Sequence, residues 1–343
     1  MRRCGAPRFP SRRVGGAPII GPMSHDLPHI PAPDTSSPAD PVGDPLEALA
    51  AAGGVLAVIT GVEGPHYRNP GAVMGFPALG DGGLGAVGQL SSGCIEADLA
   101  LHAAEVWRDG AGQQLRYGLG SPFVDLRLPC GGGLDVALIA VRDPAPLRAA
   151  LDLRAARRTA WLDLNLGNGG SGGLAVGEAR PAPAPGRFAL AVRPPPAFAV
   201  LGVGVEALTF AALAHAAGYP VTLSSPDAAT RTAARRAGTP LAPPGPLVAD
   251  ARTAVTLFFH DHEVEPALLA QALRSEAFYI GAQGSLRTHL RRLAALAELG
   301  LTPAETARLR GPIGLIPSAR DPRVLAVSVL AEVLGEALSA APA

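Results

Sequence analysis

Lysine is absent from the 343-residue chain, so all 29 of its Lys-plus-Arg positions are arginine. That absence removes Schiff-base chemistry, a lysine general base and a phosphate-loop lysine, and with them pyridoxal-phosphate enzymes and P-loop NTPases. Cysteine is scarce: three residues, an odd number and widely spaced, make no disulfide framework and suit a reducing cytoplasm. No stretch approaches the ~20 apolar residues that cross a bilayer, so no membrane partner is expected. An excess of either charge is missing too. The 29 acidic residues match the bases, and no dense basic cluster marks the folded part, which argues against nucleic acid. What remains is a chain 48% hydrophobic, enough for the cores of two domains at this length.

Residues 1–44 are rich in proline, and the first 22 carry five arginines (Arg2, Arg3, Arg8, Arg12, Arg13), no acid, and no apolar run of signal-peptide length. We read Met23 as the start of the functional chain and expect residues 1–44 to be disordered.

From Pro45 the pattern turns regular. Leu46 to Ala52 reads as a short helix, Val55 to Val62 and Ala72 to Phe76 as strands, and Gly85 to Leu90 as another short strand. Ile95 to Trp107 has apolar residues at helical spacing (Ile95, Leu99, Ala103, Val106). Leu134 to Val141 reads as a buried strand, Ala145 to Leu153 as a helix, Thr159 to Leu164 as a strand, and 167–173 as a glycine-rich turn. A proline-rich spacer over 181–196 follows, interrupted by Phe188 to Val192, a segment able to pair at a sheet edge.

The rest alternates strand and helix. Ala197 to Gly202 is a strand, Gly202-Val203-Gly204-Val205-Glu206-Ala207 has the Gly-x-Gly-x-x-Ala form, Ala207 to Ala217 is helical, and Pro220 to Leu223 is the next strand. This is a Rossmann opening, in which a pyrophosphate approaches the backbone at the helix N-terminus. The acid expected after the second strand is missing, however: Ser224 and Ser225 stand there, and Asp227 comes two residues late. Further on, Ala254 to Phe259 leads into His260-Asp261-His262, Pro266 to Leu273 is helical, Phe278 to Ala282 is a strand, and Leu286 to Leu299 is a helix after Gly281-Ala282-Gln283-Gly284-Ser285. Gly311 to Leu315 reads as a turn and strand, and Pro322 to Leu338 as a closing amphipathic helix. The expected fold is therefore α/β: an N-terminal α/β domain over 45–180, the spacer, and a C-terminal Rossmann-like doubly wound parallel sheet over 197–338. Gly202, His260 and Gly281 should gather at the carboxyl ends of its strands, where ligands bind. His260 and His262 share one face of an extended chain, as metal ligands or acid–base groups would; loop capping explains them equally well.

Two cysteines sit in glycine-dense frames, Ser91-Ser92-Gly93-Cys94-Ile95-Glu96 and Leu128-Pro129-Cys130-Gly131-Gly132-Gly133. Glycine lets backbone N–H groups converge beside the sulfur, and Cys94 lies near a helix N-terminus, where a thiolate or an anionic ligand is stabilised. Several readings stay open: small buried hydrophobes, a redox pair, metal ligands, or cofactor contacts. A closed zinc site lacks neighbouring ligands at the right spacing.

Taken in order, those two loops, His260-Asp261-His262, Phe278-Tyr279-Ile280-Gly281-Ala282-Gln283-Gly284-Ser285 with Arg287-Thr288-His289, and Gly311-Pro312-Ile313-Gly314-Leu315 resemble the XdhC/CoxI family over roughly residues 45–338. The resemblance implies a non-enzymatic accessory protein that binds molybdenum cofactor (Mo-molybdopterin), shields it during sulfuration and delivers it to a molybdenum hydroxylase apoenzyme such as xanthine dehydrogenase. A cysteine desulfurase and a homo-oligomer are the further partners it implies. The cofactor-binding set is Gly93, Cys94, Glu96, Cys130, Gly131, Gly132 and Gly133 in the first domain, with Gly202, Gly204, His260, His262, Gly281, Ser285 and Arg287 in the second. Cys94 and Cys130 are the candidate metal ligands, and no catalytic residue is assigned. The second domain departs from the family pattern at Val205, Ala207, Ser225, Asp227 and Leu286 and in the run Ile316-Pro317-Ser318-Ala319-Arg320, which weakens the case for nucleotide binding. The rival reading is an NAD(P)-dependent oxidoreductase with His260 or His262 as proton donor.

Overall fold

The computed structural model describes residues 39–40, 43–122, 128–166, 173–259 and 264–339. Expectations for residues 1–38, 167–172, His260 and His262 lie outside the described residues; the disorder expected up to residue 44 is corrected at its end, where Ala39–Asp40 pair with Ala86–Val87 and Asp44 caps the first helix.

The first part of the chain runs β1 (Ala39–Asp40), α1 (Pro45–Ala52), β2 (Gly54–Glu63), β3 (Val73–Pro77), β4 (Ala86–Val87), α2 (Glu96–Asp109), β5 (Gln113–Gly118), β6 (Gly133–Val141) and α3 (Ala145–Ala155). Its strands form one sheet in the order β1-β4-β3-β2-β6-β5. At the centre β2 and β6 pair antiparallel, and alternate residues go to opposite faces. Val55, Ala57, Ile59, Val136 and Leu138 pack under Leu99, Ala103 and Val106 of α2. Leu56, Val58, Ala137 and Ile139 pack against Leu49 of α1 and Leu147 of α3. Burial on both faces is why these strands read as unbroken apolar runs.

β5 has no such signature. Its Gln113, Gln114 and Arg116 are polar edge residues, and only Tyr117 is buried. A small antiparallel sheet, β7 (Ala160–Asn165), β8 (Leu174–Gly177) and β9 (Arg187–Val192) in the order β8-β7-β9, covers the α1/α3 side through Leu162, Leu164, Leu190 and Val192. β9 falls inside the stretch read as spacer and pairs with β7 along its length.

The second part runs β10 (Ala197–Gly202), α4 (Gly204–Ala216), β11 (Val221–Ser224), α5 (Ala228–Arg236), β12 (Thr253–Phe258), α6 (Glu265–Leu273), β13 (Tyr279–Ala282), α7 (Leu286–Glu298), α8 (Pro303–Thr306), β14 (Leu309–Arg310) and α9 (Pro322–Ser339). The strands are parallel in the order β11-β10-β12-β13-β14. A single parallel bridge between Leu223 and Leu241 stands where a further strand would extend the edge. With that remnant counted, the order is the dinucleotide-fold order 3-2-1-4-5-6. Helices α4 and α9 cover one face and α6 and α7 the other.

The strand expected over Gly311 to Leu315 is corrected: the ladder uses Leu309–Arg310 and stops there. Pro312 has no N–H to continue it, and Gly314 takes a φ of +105°.

The two sheet systems are tied by Arg157. Its Nε donates to Asp250 Oδ2 at 2.8 Å and its Nη2 to Asp250 Oδ1 at 3.1 Å, while Nη1 reaches the Pro195 carbonyl at 2.7 Å. No helix among the described residues is long and apolar enough to cross a membrane.

Candidate functional site

Cys94 precedes α2, and Cys130 precedes the three glycines that lead into β6. Both thiols are free and partly exposed, and both pack against the same core cluster, which contains Leu90, Ile95, Tyr117, Leu128 and Leu134. The fold thus brings two loops 36 residues apart in sequence onto one flank of the mixed sheet. Among the described residues, no three His, Cys, Asp or Glu side chains converge as a metal site.

The surrounding glycines divide into two kinds. Gly93 (φ +105°) and Gly131 (φ +76°) take left-handed backbone, and a β-carbon at either would meet nothing within 4 Å. They leave open space beside each cysteine. Gly132 and Gly133 are packing residues instead. A β-carbon on Gly132 would fall 1.8 Å from the Pro65 carbonyl oxygen, and one on Gly133 would fall 2.6 Å from the Arg116 guanidinium. That guanidinium spans the sheet end, donating from Nη1 to Asp135 at 2.8 Å, pairing with Glu63 through Nη2, and donating from Nε to the Leu119 carbonyl at 2.8 Å.

Glu96 does not point toward a ligand. Its Oε1 accepts from the N–H groups of Leu90 (2.9 Å) and Ser91 (2.7 Å); its Oε2 accepts from the Ser91 hydroxyl (2.7 Å) and from the N–H groups of Gly93 (2.8 Å) and Ile95 (3.2 Å). The cluster of N–H groups expected to hold a bound anion is filled from within. Burial raises the carboxyl's pKa, but the Ser91 hydroxyl and the backbone donors outweigh it and hold it below the usual carboxylate range. Nearby, the buried Tyr117 hydroxyl donates to Asp98 at 2.6 Å. Burial first, and then that carboxylate, push the phenol well above its ordinary pKa, so it stays a neutral donor. Tyr117 escaped the sequence reading because β5 did.

The Rossmann candidates are arranged differently. Gly202 is buried against β12, where a β-carbon would lie 2.6 Å from the Phe258 carbonyl oxygen and 3.0 Å from Ala207; this is the close packing the fingerprint needs. Gly204 opens α4 with φ +81°, but its N–H already donates to the Thr230 hydroxyl of α5 at 3.0 Å. Thr230 is buried, and its hydroxyl donates in turn to Asp227 at 2.6 Å. A helix of this chain therefore holds the donor that a pyrophosphate would use. Gly281 is buried against Ile313 and the Tyr279 ring, and Ser285 caps α7, accepting from the Thr288 N–H at 3.1 Å. Arg287 is exposed on the first turn of that helix. A separate cavity of about 660 Å³ lies over Ala199, Leu201, Thr222 and Ser224 and beside Gln271, and none of the candidate residues lines it.

The NAD(P) expectation finds no support in this arrangement. Millimolar NAD⁺ or NADP⁺ is expected to leave the unfolding temperature unchanged in differential scanning fluorimetry. A dose-dependent rise beyond about 1 °C would contradict the reading of Thr230 as the occupant of this turn.

These features define a class: an α/β protein with two free, partly exposed thiols beside its mixed sheet and a Rossmann sheet whose phosphate turn is held by its own threonine. The chain belongs to the XdhC and CoxI family, whose model matches residues 49–118, while the model of the XdhC Rossmann domain matches residues 198–333. It is 35% identical over 289 residues to the molybdenum cofactor insertion chaperone PaoD of Escherichia coli, an alignment covering 84% of this chain and 85% of that protein. A crystal structure from Bacillus halodurans, described as a xanthine dehydrogenase, superposes with a TM-score of 0.66 at 22% identity, covering 86% of this chain and 95% of that one. At that identity the likeness establishes the shared fold.

Proposed function

We propose that this chain binds molybdenum cofactor as cargo, shields it while its terminal sulfur is installed, and hands it to a molybdenum hydroxylase of the xanthine dehydrogenase type. The observation that carries the reading is the pair of free, partly exposed thiols on one core cluster, in a chain aligned over most of its length with a cofactor insertion chaperone. The cargo is a pterin dithiolene with a phosphate and a soft metal centre, and thiolate is the protein ligand best matched to such a centre. Cys94 and Cys130 offer that contact, and the bare backbone at Gly93 and Gly131 leaves room for the cofactor's approach. The phosphate is not assigned to the N-terminus of α2, because Glu96 already engages the donors there. The chain acts by binding and release and is not an enzyme in this reading, and the cytoplasm suits its reduced thiols. The test is transfer: chain purified from cells that make the cofactor should activate a cofactor-free hydroxylase in vitro.

A further inference from the structure

We propose that Glu96 is a positioning residue for Cys94: its carboxylate is the resident anion of the Leu90–Ile95 loop and fixes where the Cys94 thiol is presented. The geometry is specific. One carboxylate gathers five donors between 2.7 and 3.2 Å, four from backbone and one from the Ser91 hydroxyl. The Ser91 oxygen then accepts from the N–H groups of Cys94 and Ile95, each at 3.0 Å. The N–H groups of Leu90, Ser91, Gly93, Cys94 and Ile95 thus run to Glu96 directly or through one hydroxyl. The turn itself resists this shape at Ser92, whose φ of +61° is a left-handed conformation that a non-glycine residue keeps only when surrounding bonds over-determine it. The carboxylate also occupies the positive end of α2, so Glu96 is the internal counter-charge of that helix rather than a contact to cargo.

Glutamine at this position has the same length but offers an –NH₂ group to donors that need an acceptor, so the loop should open. The probe is 4,4′-dithiodipyridine on the full-length chain, with the modified cysteine identified by peptide mass. Glu96→Gln is expected to raise the Cys94 modification rate on the order of tenfold, as the loss of charge-assisted bonds shifts local opening. The Cys130 rate should stay near wild type. Ser91→Ala keeps the carboxylate and removes the relay, so a smaller rise of about threefold is expected at Cys94. It also serves if Glu96→Gln does not fold. The ratio of Cys94 to Cys130 modification separates positioning from general loosening: loosening of the whole sheet region would raise both rates, whereas loss of the Glu96 anchor raises Cys94 alone.

This inference rests on the reading of Cys94 as a cofactor contact, and the two fail separately. Unchanged Cys94 reactivity in both variants would overturn the positioning role. Normal cofactor retention by Cys94→Ala would overturn the contact itself, whatever Glu96 does.

Discussion

Cys94→Ala combined with Cys130→Ala is expected to lower the molybdopterin bound per purified chain by roughly tenfold or more, the scale seen when groups that merely support a metal site are removed. The effect should be specific to binding. Both thiols are partly exposed and neither is cross-linked, so the double variant should keep its fold within about 1 kcal/mol. The measurement is fluorescence of the oxidised pterin released from equal amounts of protein, with thermal unfolding as control. Each single variant should lose less than the pair, because one thiolate still faces the metal. Loss confined to one cysteine would assign the contact to that loop and make the other a core residue.

A large effect on stability is expected in the other half of the molecule. Arg292 of α7 and Glu265 of α6 form an ion pair at 2.7 Å, with side chains only 3% and 1% exposed. The Arg292 guanidinium also lies beside the turn after β13, whose Gln283 carbonyl accepts from Nη2 at 2.5 Å. Arg292→Met fills similar volume but breaks a buried ion pair by removing one partner, which costs about 3–5 kcal/mol. The double variant Arg292→Met with Glu265→Leu should recover most of that loss, because two apolar residues bury no unpaired charge. Urea unfolding of the three variants checks this, with an expected order of wild type near the double variant and Arg292→Met well below. A single variant as stable as wild type would mean that water or another group compensates Glu265.

The sequence made legible those elements whose own residues carry the signal. β2 and β6 alternate between two buried faces, and α2 shows its apolar stripe at Leu99, Ala103 and Val106. The Rossmann turn was readable because Gly202 must pack against Phe258 and Ala207, a constraint visible as Gly-x-Gly-x-x-Ala. β5 was not readable, because an edge strand of Gln113, Gln114 and Arg116 has no apolar period. Helix α5 was missed for a related reason: its residues are alanine, threonine and arginine, and its clearest mark is Asp227 capping the Thr230 N–H at 2.6 Å.

The candidate site shows the same division. The glycine frames located both thiols on loops at strand and helix ends. Whether a glycine serves a ligand or its own backbone depends on distant partners, Pro65 for Gly132 and Arg116 for Gly133, which lie far off in sequence. Glu96 and Thr230 teach the related lesson. Each occupies a set of backbone donors that would otherwise hold an anion, and a contact such as Thr230 to Gly204, 26 residues apart, leaves no local pattern. Both residues move the expected cargo contact away from helix N-termini and toward the sulfur atoms.

The measurement that bears most directly on the central claim is in vitro transfer. Chain purified with its cargo is mixed with a molybdenum-free hydroxylase of the xanthine dehydrogenase type, and the appearance of hydroxylase activity is followed against an equal amount of free cofactor. The loaded chain is expected to restore activity and to protect the cofactor during incubation in air, and the Cys94→Ala/Cys130→Ala variant to do neither. Activation no better than by free cofactor, or full activation by the double variant, would contradict that claim.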